Sequence, residues 1–159
     1  PFADQRRDKM AKHTAAQVAK WVLAHNRIAT DEEGAEYISN LKLQKLLYYA
    51  QGVFLAVTDK PLFDDDIVAW LQGPVVESVY HQYKANGAQG IPFDEDFDFS
   101  EFTPEENELL TEVYDVFGQY SALKLRNMTH EETPWKETKQ NDIISLQIIK
   151  DYFKKEYIE

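Results

Sequence analysis

The chain has 159 residues, no cysteine and a formal net charge of −11, with 43% hydrophobic and 28% charged residues. That length suits one domain with its own core, and the missing cysteine excludes disulfides and thiolate metal sites. No apolar run approaches the roughly 20 residues of a membrane span, and the acidic balance without a basic stripe argues against nucleic acid as a partner.

Residues 1–10 are polar and charged and read as an N-terminal tail that an expression vector could have supplied, with Met10 resembling an ordinary start. The domain then runs over residues 11–159. No signal peptide is recognisable, so a cytoplasmic location is expected. Thr14 and Gln17 form a capping-box pair ahead of Val18, Trp21, Val22 and His25 at helical spacing. Asn26 to Gly34 reads as a polar loop. Ser39 or Asn40 caps a second helix, in which Leu43, Leu46, Leu47, Ala50, Phe54 and Val57 share one face. Asp59-Lys60-Pro61 ends it.

Ile67 to Leu71 is too short for a helix and reads as a buried strand or extended segment. Gly73-Pro74 breaks it, and Pro74 suits the first position of a helix carrying Val76, Val79, Tyr80 and Tyr83. Asn86-Gly87 stops that helix. A loop to Phe102 precedes Thr103-Pro104-Glu105-Glu106, which has cap, first-turn proline and capping-box acid in place. Leu110, Val113, Tyr114 and Phe117 continue it inward. A short helix runs through Leu123 and Leu125, Thr133-Pro134-Trp135 starts another, Ile143-Ile144 is extended, and Ser145 caps a last helix with Ile148, Ile149, Tyr152 and Phe153 inward. The fold expected is mainly α: a compact single-domain bundle of about six to eight helices with at most a small β element.

Residues for chemistry are sparse. There is no phosphate loop, no serine elbow and no histidine pair at metal-ligand spacing. Asp64-Asp65-Asp66 reads as a solvated turn, since three consecutive acids cannot all face one ion. No catalytic residue, metal or cofactor is therefore assigned. From Phe93 to Phe102, phenylalanines alternate with acids. Asp96, Phe97, Asp98, Phe99 and Glu101 are the candidate contacts for a basic partner, with rings as anchors and acids for steering. The alternative is a long loop pinned to the core by its rings.

Leu41-Lys42-Leu43-Gln44-Lys45-Leu46-Leu47-Tyr48-Tyr49-Ala50-Gln51-Gly52 resembles the signature helix of the Panacea domain, a family of SocA-like, phage-associated antitoxins. Pro61-Leu62-Phe63, Ala69-Trp70, Gly73-Pro74-Val75-Val76 and Val79-Tyr80 resemble its next block, and Thr129-His130-Glu131-Glu132-Thr133-Pro134-Trp135 its third. The resemblance spans residues 14–153. One departure is Leu71-Gln72, where the family commonly has a basic residue followed by an aromatic one. The resemblance implies an antitoxin that neutralises a toxin protein by direct contact, or an adaptor that delivers it to a ClpXP-type protease. It marks Lys45, Tyr48, Tyr49, Gln51, Trp70, Gly73, Pro74, Tyr80, Thr129, His130, Pro134 and Trp135 as motif residues, read here as mostly structural. Within the third block, Thr129 and Glu132 match a capping box, His130 could bond a helix end, and Trp135 could fill the core beside it. Two other classes stay open: an enzyme using Lys45, Tyr48 or His130, and a transcriptional autoregulator, which the negative charge weakens.

Overall fold

The computed structural model describes residues 11–30 and 37–158; the tail over residues 1–10 lies outside them. Helix α1 (Ala15–Thr30) starts where the capping pair places it: Thr14 Oγ1 accepts from the Gln17 N–H, and the Thr14 N–H donates to Gln17 Oε1 at 2.9 Å. It then continues through Asn26 to Thr30, where sequence alone suggests a loop. The reason is tertiary: Asn26 is buried, and its Oδ1 accepts from the Tyr114 hydroxyl at 2.7 Å. The rest of the expected loop, residues 31–34, lies outside the described residues.

Helix α2 (Asn40–Thr58) is capped by Ser39 and closed by Asp59 in the left-handed conformation. Every residue from Leu43 to Ala56 is buried, so the helix is an axle enclosed on all sides, not a one-faced surface helix. Val57 departs from the expected inner stripe: it is 48% exposed, because the chain leaves the core at this turn. Helices α3 (Glu77–Tyr83), α4 (Pro104–Phe117), α5 (Ala122–His130), α6 (Thr133–Lys136) and α7 (Leu146–Glu156) complete the α-helices of the described residues, with short 3-10 turns at Lys84–Asn86 and Phe99–Glu101. Among them, α1, α3, α4, α5 and α7 pack directly on α2. The capping box at Thr103 and Glu106 is formed, as is the Ser145 cap.

The expected β element is a hairpin of β1 (Val68–Trp70) and β2 (Gly73–Val75), turned at Leu71-Gln72. Pro74 therefore does not begin a helix. It lies in β2 opposite Ala69, and α3 starts after Val76. Proline is tolerated there because Ala69 directs its own N–H and C=O to the other side, to Asp142 O at 2.9 Å and from the Asn141 N–H at 2.7 Å.

Gly52 marks the closest approach of two elements. A Cβ there would fall against the face of the Phe153 ring on α7. Gly→Ala within a helix ordinarily stabilises by about 0.5–1 kcal/mol. Here overpacking of about 1–3 kcal/mol outweighs that gain. Gly52→Ala is thus expected to lower the urea midpoint, and Gly52→Ala combined with Phe153→Leu to recover part of it.

Candidate functional site

The signature helix spends its polar side chains inward. Gln51 Oε1 accepts from the Leu62 and Phe63 N–H groups, at 2.7 and 3.3 Å, while its Nε2 donates to Phe63 O. Gln44 Oε1 accepts from the Val76 N–H, and its Nε2 donates to Asn40 Oδ1. Asn40 Nδ2 in turn donates to Tyr80 O. These amides satisfy backbone groups in the Leu62–Phe63 segment, at the Val76 cap of α3 and at Tyr80 within α3, a requirement for burying such groups at all.

Two titratable clusters lie around the same helix. In the first, Tyr48 and Tyr49 donate their hydroxyls to Glu132 Oε1 and Oε2 at 2.9 and 3.0 Å, and Tyr157 donates to Oε2. Glu132 is 3% exposed. Burial pushes its carboxyl above the ordinary range, against the pull of the three hydroxyls. Burial and the adjoining carboxylate push Tyr48 and Tyr49 up. In the second cluster, Lys45 is fully buried and donates to Pro74 O at 3.2 Å. Burial, with the Arg126 guanidinium nearby, brings its ammonium down to about 7. Gly73 closes this cluster with φ of +109°, and a Cβ there would meet Lys45 Cε at 2.8 Å and Thr129 Oγ1 at 2.9 Å. Glycine is required on both counts. Arg126 Nε and His130 Nε2 are buried without a hydrogen-bond partner among the described residues.

The motif residues thus converge, though not always in the expected roles. Thr129 and Glu132 make no capping box: Thr129 donates to Arg126 O at 2.7 Å, and Glu132 turns to the tyrosines. The His130 ring reaches no helix end but the backbone of Leu71 at the hairpin tip, and stacks on Trp135 at 4.0 Å. Trp135 and Trp70 are half-buried, not fully buried; the Trp135 Nε1–H donates to Trp70 O at 2.7 Å, and Trp70 packs edge-on against Tyr80. Pro134 is buried at the start of α6. Leu71 and Gln72, where the family pattern is broken, are exposed. Because Trp135 ties α6 to β1 through that one N–H, Trp135→Phe is expected to cost about 1–2 kcal/mol, read as a lower melting temperature.

The acidic aromatic loop is apart from this centre. Phe99 meets Trp21 edge-on at 6.0 Å and Phe97 at 4.9 Å, and both loop rings are half-buried. Asp98 caps a short turn by accepting from the Ser100 N–H and hydroxyl. Asp96, Asp98 and Glu101 are exposed. Asn107 clamps the loop's end, donating to Phe99 O and Phe102 O while accepting from Trp21 Nε1 at 2.8 Å. Sequence reasoning missed His13, which stacks on Phe102 at 4.1 Å and pairs with Glu106 at 3.0 Å. Nothing local marks that partnership. Asp65 is likewise more than a solvated turn residue: it accepts from the Ala15 N–H and the Ser78 hydroxyl. Among the described residues, no group of three or more acids and histidines could hold a metal ion, and no helix is long and apolar enough to cross a membrane.

Residues 43–136 match the family model described as "Antitoxin SocA-like, Panacea domain". Among curated proteins, Antitoxin SocA of Caulobacter vibrioides (strain NA1000 / CB15N) is 50% identical over 54 residues, 34% of this chain. The aligned stretch spans only 29% of that relative's length. No solved structure matches.

Proposed function

Because this chain belongs to the SocA-like, Panacea-domain antitoxin family, we propose that it is an antitoxin that neutralises a toxin protein by direct binding. The observation that carries the proposal is the closure of the motif centre. Lys45, Tyr48, Tyr49 and Glu132, the groups best suited to acid–base work, are buried and bonded to one another or to backbone. A general acid or base must reach its substrate. These side chains instead fix the geometry of α2 against α5, α7 and the hairpin, so recognition falls to the outer surface. The reading includes a cytoplasmic location, with which the absence of cysteine is compatible. Co-expression with the product of the neighbouring reading frame tests it. Restored growth and a co-purifying complex are expected, and unrelieved growth arrest would overturn it. Delivery to a ClpXP-type protease shares the toxin contact and differs in one readout: it shortens the toxin's half-life.

Within this reading, Asp96, Asp98 and Glu101 steer a basic toxin surface, while Phe97 and Phe99 hold the loop in place. Exposed acids act mainly on association and its salt dependence. Changing the three together to Asn and Gln is expected to slow association about tenfold at low salt and to leave dissociation nearly unchanged. Stopped-flow binding at two ionic strengths measures this, and identical kinetics would reduce the loop to packing.

A further inference from the structure

One surface groove lies outside the buried motif centre and borders it at Tyr157, whose hydroxyl bonds Glu132. It runs along the outer face of α4 as two hollows that meet at Glu112, the first against the C-terminal half of α2 and the second between Val53 of α2 and Tyr157 and Ile158 beyond α7. Phe54 and Val57 line one wall and Leu109 and Val116 the other. Val57 and Val116 are 48% and 50% exposed. Single exposed valines are ordinary, but apolar side chains gathered in one groove on adjoining helices mark a contact surface. The rim is charged with one sign. Glu105, Glu108 and Glu112 recur at helical spacing along the groove, all exposed, and none has an ion-pair partner among the described residues. Glu106 differs, being held by Thr103 and His13.

We propose that this groove receives an amphipathic helix with an apolar face and basic flanks, supplied by the toxin. The chemistry follows from the groove; the owner of the helix rests on the antitoxin reading. From Glu105 to Val116, α4 rises about 16 Å, enough to seat roughly three turns of a partner helix in helix-in-groove fashion. A second copy of this chain is disfavoured, because it would set one glutamate rim against another in molecules of net charge −11. The aromatic acidic loop leads directly into α4 through Thr103, so steering acids and docking groove are contiguous in the chain.

The test uses the full chain with a fluorescein-labelled 15-residue leucine–lysine amphipathic peptide, a leucine–glutamate peptide of the same pattern, and amide chemical-shift mapping. Shifts confined to residues 53–58, 105–117 and 157–158 are expected with the lysine peptide alone. Val57→Arg with Val116→Arg, both at exposed positions, should weaken its binding at least tenfold while circular dichroism stays unchanged. Glu105→Gln, Glu108→Gln and Glu112→Gln together should weaken it mainly at low salt. Shifts scattered over other acidic surfaces, equal binding of the glutamate peptide, or undiminished binding by the arginine variant would overturn the proposal. So would a dimer in sedimentation that the arginine variant abolishes, which assigns the groove to a second copy. In the growth assay, rescue by the arginine variant defeats the groove as toxin surface and leaves the antitoxin reading standing. Failure of the unaltered chain to rescue defeats that reading, and the peptide arm alone then decides the groove.

Discussion

Glu132→Ala is expected to destabilise the protein by about 4 kcal/mol or more, a large part of a typical domain's 5–15 kcal/mol. The substitution removes the acceptor for three tyrosine hydroxyls at once, and Tyr48 and Tyr49 have no solvent to turn to. Each buried hydroxyl left unpaired costs about 1–3 kcal/mol, and the vacated volume adds to that. Glu132→Gln should cost less, about 1–2 kcal/mol, because its amide oxygen still accepts while a hydroxyl can rotate to accept from the amide nitrogen. Tyr48→Phe removes one donor and leaves the carboxylate two, so about 1 kcal/mol is expected. Denaturant midpoints with unchanged slope measure the series. A Glu132→Ala protein as stable as the parent would show that the tyrosine–carboxylate cluster is ornamental to the fold.

The opposite sign is expected at Lys45. Its ammonium titrates near 7 in the folded chain against an ordinary 10.5. The unfolded chain therefore binds the extra proton over the interval between them, and stability rises with pH there. The penalty is fully present below pH 7, about 5 kcal/mol at 1.36 kcal/mol per unit, and fades as pH climbs toward 10.5. Lys45→Met keeps the volume and removes the charge, at the cost of a donor to Pro74 O, about 1–3 kcal/mol. The variant is expected to be the more stable protein at pH 6.5 by about 2–3 kcal/mol, with the advantage lost by pH 9.5. Taking the difference between the two proteins cancels the tyrosines, which titrate in both. An advantage that does not change with pH would mean that Lys45 stays charged and well solvated by its surroundings.

These two side chains also show where reading the sequence stops. Thr14, Ser39, Thr103 and Ser145 cap helices where the sequence places them, and the inner stripes of α1, α4 and α7 follow the helical period. Such features are legible because cap and period act within one or two turns of chain. The family motif is legible for the same reason, as ordered words in a single string. Its roles are not. Glu132 stands at capping distance from Thr129, yet its carboxylate is taken by tyrosines 84 and 83 residues away. Lys45 looks like any exposed helix lysine until β2 and α5 close over it. Pro74 has the credentials of a helix start but lies in β2 opposite Ala69, whose own backbone bonds go to Asp142 and Asn141 far along the chain. His13 finds Glu106 across 93 residues. The sequence by itself determined most of the helices, the caps at Thr14, Ser39, Thr103 and Ser145, and the family. Only the tertiary structure decided which polar side chains go inside and which apolar ones are left out along α2 and α4, because burial is settled between elements, whereas helix and cap are settled within them.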